Sequence, residues 1–156
     1  MVTELITLTK LLDNKKMFLD DFYKLTIVQK KLIQSDDIDK LNRIIKNKEE
    51  LIGKINILDN KFLEVYTDLK EENNITSLSE LNVDKSYLAK LKEATNKCDS
   101  MMKDIKFQDE ENNNMMKANF EDVKTKLREI KRGKTTTNKY YNKAQNTGGY
   151  FIDSKK

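Results

Sequence analysis

The sequence predicts an all-α protein: a long antiparallel helical hairpin with a third long helix packed along it as an elongated bundle or coiled coil, then a disordered C-terminal tail. Three observations predict it. The 156 residues include no Pro and only four Gly, so helices can run unbroken over long stretches. Apolar side chains recur at steps of three, four and seven, a period no strand can use. The chain is 37% hydrophobic and 36% charged, which suits helices that each bury one narrow stripe better than a compact globule with a thick core.

The first helix is expected over residues 4–33, where Leu5, Leu8, Leu12, Leu19, Phe22, Leu25, Val28 and Leu32 share one side. Gln34 and Ser35 break it. Ser35, followed by Asp36 and Asp37, offers a hydroxyl cap and acidic groups at the positive end of the next helix dipole, so the second helix should begin there. Its stripe runs Ile38, Leu41, Ile45, Ile52, Ile55, Phe62, Val65 and Leu69, with Lys48 and Asp59 at two heptad positions that would otherwise be apolar. A link of two or three residues forces these two helices antiparallel. Glu71 to Asn74 is polar without period and ends the hairpin, and Ser77 and Glu80 have capping-box spacing ahead of a short turn at Leu78 to Leu81. Around Asp84 a third helix starts, with Leu88, Leu91, Cys98, Met102, Ile105, Met116, Phe120, Val123, Leu127 and Ile130 on its stripe and an interruption at the polar run Gln108 to Asn114. Residues 1–132 thus read as an elongated three-helix domain and residues 133–156 as a flexible tail.

Charge is unevenly placed. The tail from Lys131 carries seven basic side chains against the single acid Asp153, while the body is nearly balanced, so polyanion attraction would be a tail property. Arginine supplies few of the basic groups, and the charges are spread thinly, which disfavours nucleic acid as the partner. The tail's sizeable apolar groups are Tyr140, Tyr141, Tyr150, Phe151 and Ile152.

Chemistry is restricted by composition. With no His anywhere, imidazole-based nucleophile pairs, general bases and histidine metal sites are excluded. Arg132-Gly133-Lys134-Thr135 imitates the end of a phosphate-binding loop, but residue 128 is Arg and no strand precedes it, so a helix stop at Gly133 explains it better. The acidic runs Asp36-Asp37-Asp39 and Asp109-Glu110-Glu111 lack the glycine of a calcium loop and read as solvated helix faces or ends. The lone Cys98 falls on an apolar stripe and reads as structural. No enzyme, cofactor or metal is expected. No apolar run approaches the ~20 residues that span a bilayer, and the chain opens without a secretory signal, so a cytoplasmic location and no membrane insertion are expected.

One feature points to a partner. Met101, Met102, Met115 and Met116 are four of the six methionines, clustered with Phe107 and Phe120. Methionine surfaces re-pack against different amphipathic helices, and two adjacent methionines cannot both face one narrow stripe, so one of each pair should show at the surface. The competing reading is that methionine fills an irregular core.

The order of features resembles the FlgN-type flagellar export chaperones over nearly the whole chain. The second helix, with Leu41, Lys48-Glu49-Glu50-Leu51-Ile52, Ile55, Leu58, Asp59 and Lys61, is similar to that family's K-x-x-L-L-x-x-I-x-x-L-E run. Ile75 to Leu81 resembles its S-L-S-E-L connection. Asn112-Asn113-Asn114-Met115-Met116 followed by Phe120, Val123 and Leu127 resembles its N-x-x-L-L run, with Met for Leu and Asp109 at the usual upstream Asn. Lys131-Arg132-Gly133-Lys134, Tyr141-Asn142 and Gly149 to Asp153 are similar to tails of clostridial-type members. The resemblance implies a cytoplasmic chaperone, transiently at the flagellar export apparatus, that binds the C-terminal helices of the hook-associated (hook–filament junction) proteins and docks on the cytoplasmic domain of the export gate. Carried over by position, Met101, Met102, Ile105, Met115, Met116, Phe120, Val123 and Leu127 form the client face, and Tyr141 is the gate contact, with Tyr140 and Tyr150 as alternatives. Monomer and homodimer are both open. The alternative from a different class is a coiled-coil protein that closes its apolar stripe by self-association, with no client.

Overall fold

The computed structural model describes residues 1–130. They form helices α1 (Val2–Gln34), α2 (Ile38–Glu72) and α3 (Lys85–Ile130), with a single 3-10 turn at Leu78–Glu80, and there is no strand among the described residues. The tail, and with it Tyr140, Tyr141 and Tyr150, lies outside them.

The helix ends are made by side chains and by two left-handed residues. α1 closes with Asp37 N–H donating to the Leu32 carbonyl at 3.3 Å and Asp36 N–H to that of Ile33 at 3.3 Å, a Schellman pair that needs Asp36 at φ 56°. α2 closes the same way: Ile75 N–H reaches the Lys70 carbonyl, Asn74 N–H that of Glu71, and Asn74 sits at φ 50°. Asp and Asn stand where Gly would be usual, because their short polar side chains tolerate this conformation better than other L residues. The cap of α2 differs from expectation. Asp37 accepts from Lys40 N–H at 3.2 Å, while the Ser35 hydroxyl turns back to the Leu32 carbonyl. Ser35 is needed to finish α1, so Asp37 starts α2. The expected capping box is present, with Glu80 accepting from Ser77 N–H at 2.7 Å and Ser77 Oγ from Ser79 N–H at 3.4 Å. Asp84 takes Ser86 N–H at 2.9 Å at the start of α3.

The chain divides into two compact units, each built from all three helices. Unit 1 combines Met1–Tyr23 with Glu50–Asp104. Its core is apolar throughout: Leu5, Leu8, Leu12, Leu19 and Phe22 from α1, Leu51 and Leu69 from α2, Leu81 from the connection, and Leu91, Ala94 and Cys98 from α3. Lys15 pairs with Asp59 at 2.8 Å and Lys54 lies over the Phe18 ring, so higher numbers on α1 meet lower numbers on α2 and the two run antiparallel. The Cys98 thiol donates to the Leu12 carbonyl at 3.3 Å.

Unit 2 combines Lys24–Glu49 with the chain from Ile105. Its apolar cluster is Ile33, Leu41, Ile45 and Met116, with Leu32 and Met115 packed against it, and Ile105 is buried outside that cluster. Within it α3 runs parallel to α1: Asn112 donates to the Thr26 carbonyl and Asn119, seven residues on, to that of Ile33, also seven residues on. A seven-residue step keeps both asparagines on one face of α3.

Candidate partner-binding surface

The inner positions of α1 alternate strictly at three and four residues: 5, 8, 12, 15, 19, 22, 26, 29 and 33. Up to Phe22 this agrees with the expected stripe. Beyond it, apolarity and geometry part, because the buried residues are Thr26 and Gln29, whereas Val28 is exposed and Leu25 only partly covered. On α3 the polar run Gln108 to Asn114 does not interrupt the helix; Gln108, Asp109 and Asn112 face inward. Asp109 is therefore not a solvated side chain, as its acidic neighbours suggest.

Those residues form a buried polar layer in unit 2. The Lys48 ammonium donates to Asp109 Oδ1 at 2.8 Å and to Gln29 Oε1 at 2.7 Å, with the Lys48 and Asp109 side chains only 5% and 9% exposed. Gln108 Nε2 donates to Asn112 Oδ1 at 3.0 Å, and Asn112 Nδ2 to the Thr26 carbonyl at 2.9 Å. Gln29 Nε2 is buried and meets no acceptor. All six buried polar side chains of the described residues belong to unit 2. A buried ion pair roughly balances desolvation against attraction, so such a layer selects one register more than it adds stability. Lys48 was recognisable as an intruder in its heptad; its partners on the other helices were not.

The residues assigned to the client face fall in both units and differ in access. In unit 1, Met101 is half-buried and Met102 is 46% exposed. In unit 2, Ile105 and Met116 are buried in the chain's own core, while Met115, Phe120, Val123 and Leu127 are half-buried. The expectation that one of each methionine pair shows is met fully by Met102 and in part by Met115. Phe107, which is not among the residues assigned to the client face, is 70% exposed. Near the α1–α2 turn of unit 2, Leu32, Ile33, Leu41, Met116 and Val123 line an apolar notch whose rim carries Asp36 and Asn119.

No group of carboxylates and thiol able to hold a metal occurs among the described residues, and none of their helices is long and apolar enough to cross a membrane. Burial pushes the Cys98 thiol above its ordinary pKa, against the weaker pull of Lys15, which leaves it a poor nucleophile. The described helices leave methionine and aromatic side chains accessible, Met102 and Phe107 among them. No curated protein and no solved structure matches the chain. The model of the FlgN protein family matches residues 1–149, nearly the full length, and the chain belongs to that family of flagellar export chaperones.

Proposed function

We propose that this chain is a cytoplasmic chaperone that binds the C-terminal amphipathic helices of flagellar hook-associated proteins, keeps them from assembling early and delivers them to the cytoplasmic domain of the export gate. The observation that carries the reading is the family match across residues 1–149. The physics supports it. Terminal helices of filament subunits are amphipathic and associate when exposed, so a protein that offers a substitute apolar surface stabilises the monomeric form by mass action. Release must follow, and methionine-rich contacts of moderate affinity suit it better than a rigid jigsaw.

The client contacts are Met101, Met102, Ile105, Met115, Met116, Phe120, Val123 and Leu127, and the gate contact is Tyr141. The test is sedimentation with and without a C-terminal helix peptide of a junction protein. A complex supports the chaperone; an oligomer indifferent to the peptide returns the self-association reading. Met116 is a poor probe, because an acid there would enter the core. Met102→Asp changes an exposed side chain, so helix content by circular dichroism is retained while peptide affinity falls at least about tenfold. Unchanged affinity removes Met102 from the client face. Tyr141→Ala spares peptide binding and weakens binding to the isolated gate domain; equal loss of both would merge the two roles.

A further inference from the structure

Two of the client-face residues, Ile105 and Met116, are buried in unit 2, where they can touch no guest while the unit stays closed. That same unit holds every buried polar side chain of the described residues. We propose that unit 2 is a latent binding site: α3 from Ile105 onward parts from α1 and α2, and an amphipathic guest helix packs against the core side chains so uncovered. The inference rests on the chaperone reading for the nature of the guest and deepens it, naming Ile33, Leu41 and Ile45 as guest contacts beside Ile105 and Met116.

The two cores differ in what opening would cost. Parting α3 in unit 1 would expose the buried Leu91, Ala94 and Cys98 and break the bond from the Cys98 thiol to the Leu12 carbonyl, with no buried polar side chain in that unit to gain from water. Parting it in unit 2 uncovers six buried polar side chains beside five buried apolar ones and the partly buried Leu32 and Met115. Lys48, Asp109, Gln108 and Asn112 exchange protein partners for water at little net loss, and Gln29 Nε2, which has no acceptor when buried, gains one. The seam is thus held mainly by five apolar side chains, with Asn112 and Asn119 as bonds that restore the register on closing. A guest that supplies a new apolar stripe covers those five again. Its apparent affinity is its intrinsic affinity multiplied by the fraction of open molecules, which links binding to the opening equilibrium.

The experiment is native-state hydrogen exchange of the full chain, paired with binding of a C-terminal helix peptide from a junction protein. Without peptide, amides of residues 105–119 exchange at least about tenfold faster than those of residues 88–102, a stretch of equal length that starts only three residues inside α3, so end fraying works against the contrast. Joint replacement Lys48→Leu and Asp109→Leu makes the core apolar, slows exchange in 105–119 by about tenfold or more and lowers peptide affinity by the same factor. Thr26→Val, which replaces a fully buried hydroxyl of the same unit by a methyl group and leaves the Lys48 contacts in place, moves both readouts the same way by a smaller factor and serves if the double variant misfolds. Equal exchange in the two stretches overturns the inference, as does slowed exchange with unchanged affinity. If the unaltered chain binds no peptide, the export reading fails and the guest with it, whereas the exchange contrast, measured without peptide, still decides whether the seam opens.

Discussion

Lys48 and Lys15 are both lysines paired with an aspartate at 2.8 Å, and their surroundings give them different weight. Asp59 is 45% exposed, so water competes with Lys15 for it and salt screens the pair. Asp109 lies in the core, where loss of the ammonium leaves a carboxylate with neither a counter-ion nor full hydration. Lys48→Met therefore destabilises by about 3–5 kcal/mol, whereas Lys15→Met costs under about 1 kcal/mol. Urea denaturation of the two variants side by side checks this, and similar midpoints would show that Asp109 is hydrated after all. The comparison also marks the limit of reading these residues from sequence. Both lysines can be placed on helices, and Lys48 breaks its heptad visibly. Asp109 stands 61 residues away, and its role depends on the register of α3, which no local pattern encodes.

At the scale of elements, the helix ends were the more legible part because capping is local. The Ser77–Glu80 box and the Asp84 start follow from spacing alone, while the α1–α2 turn needed one more fact: a left-handed Asp36, which reassigns Ser35 to the end of α1 and Asp37 to the start of α2. The stripe of α1 misled beyond Phe22 for a physical reason. Leu25 and Val28 are apolar but sit one position off the inner track, and the fold keeps its period and buries Thr26 and Gln29 instead. Two predictions belong here. Asn74 holds a left-handed φ at an exposed helix end, so Asn74→Gly raises stability by roughly 0.5–1 kcal/mol, and Asn74→Val, branched at Cβ, lowers it by about 1 kcal/mol or more. Thermal melts of both variants decide it, and a Gly variant less stable than the parent would mean that the asparagine side chain matters more than its backbone. The second concerns pH. Ser77 and Thr76 N–H bonds, in that order, hold the Glu80 carboxyl below its ordinary 4.5. A depressed folded pKa means the cap's contribution is present above that ordinary value and lost as pH falls through the lower folded one. The Ser77 amide resonance should accordingly titrate below pH 4.5, and a midpoint at or above that value would show that the box does not form in solution.

For the molecule as a whole, the division into an apolar unit and a polar-layered one has a consequence that the single cysteine can report. Cys98 lies in unit 1, 2% exposed, with its thiol bonded to the Leu12 carbonyl and its pKa raised by burial. Only the thiolate reacts with alkylating reagents, so labelling must wait until this part of unit 1 opens. In unit 2 fewer apolar side chains are buried and the buried polar groups, which water can satisfy, are concentrated, so low urea favours its opening first. Titrated with urea below the main transition, the full chain should show amide exchange in residues 105–119 rising early while Cys98 stays unlabelled. Both readouts then converge as unit 1 unfolds, which also makes a single unfolding free energy an incomplete description of this chain. Leu8→Ala, a truncation in the unit 1 core worth about 2–5 kcal/mol, brings Cys98 labelling forward and leaves the onset of unit 2 exchange where it was. If Cys98 labelling and exchange in residues 105–119 share one urea dependence in the parent and shift together in the variant, the chain unfolds as one cooperative body and the unequal cores have no bearing on how it opens.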